Sequence, residues 1–462
     1  MGDNTADPRE LIARSPMTTL QIMVIVITIA LNALDGFDVL SISFASPGIA
    51  AEWGMARTAL GFVLSMELIG MALGSILLGG LADKIGRRPT VLGCLVVMAF
   101  GMFMVTTSRG VLGSALHSVL SLFMMPADYR LLDLSMWRVF TGLGIGGMLA
   151  AINAVAAEFS NVRRKSLNIS MMAIGYPLGA AIGGFVVSAN LSLVNWRTVF
   201  YFGATVTTLL IPVVYFLMPE SVHWLARKQP AGALARINRT LAKMGHAAIA
   251  SLPVISEDQR KRSIGDIFAP GLLGTTLVVA AAYFLHITTF YYIIKWVPKI
   301  LVDMGFAASA AGDVLSWLNV GGAIGGALVG VLSLRMGIKG LALTVLLLST
   351  VSIIVFGNAP RDLARITMIC MFVGFCTNGA INALYAIFGH VFPTHVRAFG
   401  TGFAVGVGRG GAVIAPIIAG YLFDRHLSLP VVSLLMSVGS TFAAILIALK
   451  LKRVNVATDE TR

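Results

Sequence analysis

The feature that most constrains this chain is a series of charge-free apolar runs. A helix needs about 20 apolar residues to cross the hydrocarbon core of a bilayer. Such runs occur at 15–34, 89–108, 139–157, 166–196, 198–219, 267–294, 314–334, 340–360, 366–396 and 426–449. Two more carry one charge each, 59–82 with Glu67 and 399–423 with Arg409. The first run continues through Asp35 and Asp38 to about residue 46. The reading is an all-α membrane protein with twelve transmembrane helices. Charged residues make up only 12% of the chain, against about a quarter in a soluble domain, which excludes disorder and an ordinary soluble enzyme. Cys94, Cys370 and Cys376 lie in apolar runs, with neither metal-ligand spacing nor a disulfide framework.

The net charge of +13 is a topology signal, not a nucleic-acid signal. Lys and Arg accumulate on the cytoplasmic side of a membrane protein. Most of the 34 basic residues fall on one side if both termini are inside, and Arg138, Lys295 and Arg409 are embedded. This predicts an N-in, C-in, multi-pass protein. Met1–Met17 is polar without a signal-peptide pattern, so the first run is kept as a helix. The expected organisation is a cytoplasmic tail over 1–19, a first bundle over 20–218, a basic cytoplasmic linker with short amphipathic helices over 219–270, a second bundle over 271–450 and a tail over 451–462.

The two halves repeat weakly. Val162-Arg163 precedes GYPLGAAIGG, and Val396-Arg397 precedes GVGRGGAVIAP, which makes Gly175 and Arg409 equivalent. Duplicated bundles with a site at the repeat interface are a common transporter plan. Glycines spaced by four, as in Gly70/Gly74, Gly142/Gly146, Gly175/Gly179/Gly183 and Gly322/Gly326/Gly330, let helices approach closely in lipid.

Between the second and third spans the chain reads GGLADKIGRRPT, Gly79 to Thr90. This resembles the signature loop of the major facilitator superfamily. RVFTGLGIGG from Arg138 and PESVHWL from Pro219 to Leu225 support the resemblance. It implies the major facilitator fold of two six-helix bundles and a functional monomer. The first span, ALDGFDVLSIS, and the segment FPTHVRAFGTGFAVGVGRGGAVIAP, Phe392 to Pro416, are similar to the aromatic acid:proton symporter family. That implies uptake of aromatic carboxylates with protons across a bacterial inner membrane. Four features depart from the family pattern. Leu334 stands in the second-half loop where the first has Asp83, the 107–135 segment is long, Glu67 occupies the second span, and His286 and Lys295 occupy the seventh.

Charges at span depth cost a few kcal/mol and face a partner or a water-filled path. Asp35 and Asp38 share a helix face, and two close carboxylates in low dielectric do not both ionise cheaply. They are the candidate proton sites, the plainer reading being a buried ion pair with a base. Gly36 between them lets another helix or a substrate approach the backbone. Arg409, flanked by glycines, can grip a carboxylate with two parallel hydrogen bonds, or pair with Asp35 or Asp38. Arg138, placed at the start of the fourth span near the outer side, is the coupling arginine that the resemblance implies, or else a snorkelling side chain. Glu67 is either a second proton site or the partner of a nearby base.

In the seventh span, Tyr283, His286 and Phe290 share a face and can stack on an aromatic ring beside Arg409. Asn378 and Asn382 share a face of the tenth span and can bond ring hydroxyls. Tyr176 is a weaker candidate. Lys295 and His286 suggest a second anion contact, hence a dicarboxylate or dimeric aromatic acid, although Lys295 near the outer end also reads as snorkelling. Asp83, Arg87, Arg88, Glu158 and Arg397 are expected gate residues, with Asp83 at a helix N-terminus of the other half. Lys84, Arg163, Arg164 and Glu220 ring the same ends. The 107–135 segment, with His117, Asp128, Tyr129, Arg130 and Asp133, reads as an extended third span plus an outer loop.

The expectation is proton symport of an aromatic acid by alternating access. Alternatives are a transporter of a sugar, polyol or non-aromatic organic acid, an exporter of aromatic compounds, and a transporter-like sensor without flux. No nucleophile–base arrangement, metal cluster or phosphate loop stands out, so the chain does not read as an enzyme, and nothing in it requires a cofactor.

Overall fold

The computed structural model describes residues 7–108, 129–191, 195–253, 267–333, 335–393 and 396–451. These residues form fifteen helices and no strand. In chain order they are α1 (Pro8–Arg14), α2 (Thr19–Trp53), α3 (Arg57–Ile85), α4 (Arg87–Val105), α5 (Tyr129–Glu158), α6 (Lys165–Leu191), α7 (Arg197–Leu217), α8 (Val222–Lys228), α9 (Ala233–Lys243), α10 (Pro270–Asp303), α11 (Ala308–Leu332), α12 (Ile338–Gly357), α13 (Leu363–Val391), α14 (Arg397–Asp424) and α15 (Leu429–Lys450). Twelve of them, α2–α7 and α10–α15, are long and apolar enough to cross a membrane.

Several helices outrun the charge-free stretches that predicted them, because a polar residue inside a helix can find its partner across the fold, as Glu52 of the α2 extension does with Arg197. α2 runs to Trp53, beyond the expected residue 46, and α5 begins at Tyr129, ten residues before the apolar run. Tyr129, Arg130 and Asp133 therefore belong to the fourth span. α4 ends at Val105, with Thr106 closing its last turn, so the third span does not continue through Thr107 and Ser108. His117 and Asp128 lie outside the described residues. The expected N-terminal tail contains α1, capped by Asp7 and anchored by the buried Ile12.

By contact the chain divides into two compact units. The first comprises Met1–Val39, Ile69–Gly179 and Phe200–Arg260. The second comprises Leu40–Leu68, Ala180–Val199 and Lys261–Arg462. The division cuts through α2, α3, α6 and α7, whose ends around the α2–α3 and α6–α7 connections belong to the second unit.

In the first unit α4 packs on α5, and α8 packs on α9 and α1. A Cβ added at Gly36 would lie 1.9 Å from the Tyr176 carbonyl oxygen, so α2 and α6 cross in direct backbone contact there. In the second unit α10 is wedged between α14 and α15, and α11 lies along α13. That last pair corrects one expectation. Gly321 and Gly325 bring the α13 backbone close, at 1.9 and 2.1 Å from an added Cβ, whereas Gly322 and Gly326 make room for the Asn378 and Asn382 side chains.

Candidate functional site

In the first unit, Asp35 and Asp38 are both buried on α2. The Asp38 carboxylate packs toward Gly203 of α7, where an added Cβ would come within 3.2 Å of Oδ1. Asp35 lies within electrostatic reach of Cys94 on α4. Arg138 is fully buried on α5 and donates from Nη2 to the Asp38 backbone carbonyl at 3.1 Å. Its guanidinium also lies 5.5 Å from the centre of the Phe200 ring. The helix starts nine residues earlier than expected, so Arg138 is an interior residue and not a snorkelling one. Tyr176, on the crossing at Gly36, is half-buried with its hydroxyl inside.

In the second unit, Arg409 is half-buried on α14. The Tyr283 ring lies against the backbone beside it, so that an added Cβ on Gly408 would meet Cδ1 at 2.2 Å. The Tyr283 hydroxyl is 3.0 Å from that of Tyr385, and both rings pack on Phe388, at 5.6 and 5.9 Å between centroids. Arg409 is within electrostatic reach of Tyr283. Asn378, Asn382 and Tyr385 follow one another at four and three residues, one face of α13, and the two asparagines are half-buried. The sequence reading missed Tyr385, although its spacing from Asn382 places it on the face already singled out. A guanidinium, two linked hydroxyls and two amides thus share one unit. Such a set can hold a carboxylate and bond ring hydroxyls.

His286 does not join this face. It is fully buried, with Nε2 donating to the Thr377 carbonyl at 3.0 Å and Nδ1 at 2.8 Å from the Ser440 hydroxyl. A carbonyl only accepts, so a neutral ring carries its proton on Nε2 and takes the Ser440 hydrogen on Nδ1. Phe290 is also buried, edge-on to Tyr291.

Lys295 does not snorkel. It is fully buried, and Nζ lies 3.7 Å from Oε2 of the equally buried Glu67. Of the two readings of Glu67, the structure shows the paired one. Lys295 and His286, from which a second anion contact was expected, both have interior partners.

The charged ring at Asp83 is built inside the first unit. Arg87, which opens α4, pairs with Asp83 at 2.7 Å and with Glu158 at 3.0 Å. Asp83 also takes Arg227 of α8 at 2.6 Å, and its backbone carbonyl accepts from Trp224 at 3.0 Å. The Asp83 carboxylate therefore has these two arginines as partners within the first unit. Glu220 caps α4, accepting from the backbone N–H of Arg87 at 2.9 Å. Arg88 turns away from the ring. It donates to the Tyr215 carbonyl and lies over the Tyr215 ring. Arg397 is exposed and donates to the Phe392 carbonyl at 3.2 Å. Lys84, Arg163 and Arg164 are exposed. Arg227 and Trp224 were passed over because a linker gives no periodic signal that points inward.

A second polar cluster had no sequence signal. Asp424, the last residue of α14, accepts from the backbone N–H groups of Arg57 and Thr58 at 3.0 and 2.7 Å. The Arg57 side chain reaches Asp303 at 3.0 Å. All of these residues belong to the second unit.

The family model of the Major Facilitator Superfamily matches residues 28–358 and 279–461. A gallate transporter of Pseudomonas putida is 28% identical over 96% of this chain and 95% of its own length. The 4-hydroxybenzoate transporter PcaK of the same organism is 27% identical over 88% of this chain and 87% of its own. Among solved structures, the xylose transporter XylE from E. coli, in a partially occluded inward open conformation, superposes with a TM-score of 0.69 at 15% identity, covering 93% of this chain and 97% of that one. At that identity the likeness shows the fold alone.

Proposed function

The chain belongs to the Major Facilitator Superfamily, and we propose that within it this protein imports an aromatic monocarboxylate together with a proton. The observation that carries the proposal is the Arg409 face. A half-buried guanidinium lies beside glycine backbone, against which the Tyr283 ring packs, and the hydroxyls of Tyr283 and Tyr385 are linked. The carboxylate docks on Arg409 through two parallel hydrogen bonds. Its ring lies against the tyrosine faces, while Asn378, Asn382 and the hydroxyl pair take up ring hydroxyls. Relatives that carry gallate and 4-hydroxybenzoate, both ring-hydroxylated monocarboxylates, support this substrate class. A dicarboxylate has no such support, because Lys295 and His286 are engaged inside the protein.

The proton loads on the Asp35/Asp38 pair. Burial makes the second ionisation of such a pair expensive, and Arg138, bonded to the Asp38 carbonyl, ties the pair to α5. The protein works as a monomer with both termini in the cytoplasm of a bacterium. It alternates access between the two sides of the inner membrane, with the Asp83–Arg87–Glu158 ring as part of the inner gate.

The test is uptake of labelled 4-hydroxybenzoate, gallate, benzoate, a non-aromatic acid and xylose into cells expressing the protein, with and without a protonophore. Accumulation of the aromatic acids alone is expected, and it collapses with the protonophore. Arg409→Ala abolishes uptake and Arg409→Lys raises KM at least tenfold, while Asp35→Asn and Asp38→Asn lose accumulation against a gradient. Accumulation of xylose or the non-aromatic acid, or accumulation indifferent to the protonophore, overturns the proposal.

A further inference from the structure

The first unit holds a pocket that the transport reading does not use. It lies where the start of α4, the end of α7 and the outer face of α9 meet. Four cations line it, Arg88 from α4 and Arg236, Arg239 and Lys243 from α9. It shares no residue with the Arg409 face, the Asp35/Asp38 pair or the Arg87 ring.

The pocket is built by the sequence of α9, ALARINRTLAK, which has three basic residues and no acidic one. Ala233, Ile237, Thr240 and Leu241 are buried on one side of this helix. Arg236, Arg239 and Lys243 recur at three and four residues on the exposed side. The helix cannot roll, because Asn238 brackets the Ile249 backbone, donating to its carbonyl at 3.0 Å and accepting from its N–H at 2.9 Å. Arg88 is fixed in turn by the Tyr215 carbonyl and ring. Among the described residues Glu220 is the one carboxylate in the lining, and it already accepts from the backbone N–H groups of Arg87, Arg88 and Ser221. Its charge is directed to the start of α4, and the cations keep an excess of positive charge.

The pocket adjoins the last turn of a membrane-spanning helix. Tyr215 and Phe216 there are 53% and 74% exposed. An aromatic at the end of a span marks the headgroup level of the bilayer. Convergent cations next to exposed aromatic rings at that depth match a ligand with an anionic head and an apolar tail. A free phosphate would use the cations and leave the rings uncovered.

We infer that this pocket binds the phosphodiester headgroup of an anionic phospholipid, with an acyl chain lying along Tyr215 and Phe216. Basic pockets beside spans hold anionic headgroups in this way. Each basic residue near the surface contributes about fivefold in binding, so three together contribute on the order of a hundredfold. The site would tie the linker helix α9 to the membrane surface.

The test is native mass spectrometry of the full chain in detergent, titrated with phosphatidylglycerol or with phosphatidylcholine of the same acyl chains. Inorganic phosphate is the soluble competitor. The variants are Arg236→Ala/Arg239→Ala/Lys243→Ala and, to keep charge, Arg236→Lys/Arg239→Lys. All three positions are exposed, and thermal unfolding checks that the folded state is kept. The expected result is tighter binding of phosphatidylglycerol, lost to the phosphatidylcholine level in the alanine variant, largely kept in the lysine variant, and undisturbed by excess phosphate. Equal binding of the two lipids overturns the inference, as does an alanine variant that binds like the parent. Displacement by phosphate makes the pocket a site for a free anion and also overturns it. None of these readouts depends on transport, so failure here leaves the uptake proposal standing.

Discussion

Lys295→Met tests the reading of the buried Glu67–Lys295 pair. Neither side chain has any solvent exposure, and their charged atoms lie 3.7 Å apart. Removing one member of a buried pair strands the other charge and costs about 3–5 kcal/mol. The separation is longer than a good charge-assisted hydrogen bond, which places this pair toward the lower end. A chain of 462 residues has an unfolding entropy of about 1 kcal/mol/K on the scale for globular proteins, so Tm should fall by about 3 °C. Glu67→Leu should behave similarly. The double replacement Glu67→Leu/Lys295→Met removes both charges, and apolar substitutes for a buried pair are often neutral or stabilising. It should recover most of the loss. Thermal unfolding of the four proteins in one detergent closes a double-mutant cycle. Additive losses, with the double variant the least stable, would refute the assignment of these two groups as mutual partners.

Two further outcomes follow from local geometry. Gly408→Ala places a Cβ 2.2 Å from the Tyr283 ring, which is bonded to Tyr385 and cannot simply swing away, whereas Gly406 has open space around it. Uptake should fall at least tenfold for Gly408→Ala and little for Gly406→Ala, and equal effects would remove Tyr283 from the site. Burial holds the His223 imidazole below the usual histidine range, with Arg9 and Lys165 pushing the same way and Glu158 and Asp7 opposing. A folded-state value below the unfolded one means that the unfolded chain takes up the proton first. Stability is therefore full above the unfolded value near 6.5 and declines as pH falls below it. Thermal unfolding at pH 7.5 and pH 5 should show this loss, and His223→Gln should remove it.

The twelve spans were legible because lipid imposes one rule on every residue along a helix, and that rule survives in single-residue hydropathy. Their ends were less legible. Tyr129–Asp133 and Pro47–Trp53 are helical although they lie beyond the stretches that predicted the spans, and polar residues there, such as Glu52 with Arg197, find partners that hydropathy cannot register. Asp35, Asp38 and Arg409 could be picked out since a charge in an apolar run is conspicuous. What each charge touches was not legible. Lys295 near a helix end reads as snorkelling until the helix opposite supplies Glu67. His286 reads as a ligand until Ser440 and Thr377, far away in sequence, take both of its nitrogens. Arg227 and Asp424 lie at helix ends among ordinary topogenic charges, and only the fold distinguishes the ones that close a ring.

The second unit joins the α2–α3 end to α10 and α14 by two unlike devices, and their energetics differ in a way that bears on the alternating access proposed above. α3 begins with N–H groups that its own sequence does not cap, since the preceding Ala56 has no acceptor. Asp424 of α14 supplies the cap from outside the helix, bonded to Arg57 and Thr58. A carboxylate at a helix N-terminus is worth about 0.3–2 kcal/mol, and water can take over both N–H groups and both carboxylate oxygens when the two helices part. This contact is cheap to break and to remake. Glu67 and Lys295, between α3 and α10, have no such substitute, because they are sealed from solvent. They can separate only if water enters or if Glu67 takes a proton and its charge is removed. If the proposed cycle moves α3 away from α10 and α14, the contact at Asp424 is expected to give way first and the Glu67–Lys295 pair to set the larger part of the barrier. In the double variant Glu67→Leu/Lys295→Met that barrier is lowered, so exchange of internal for external substrate should become faster while stability is nearly unchanged.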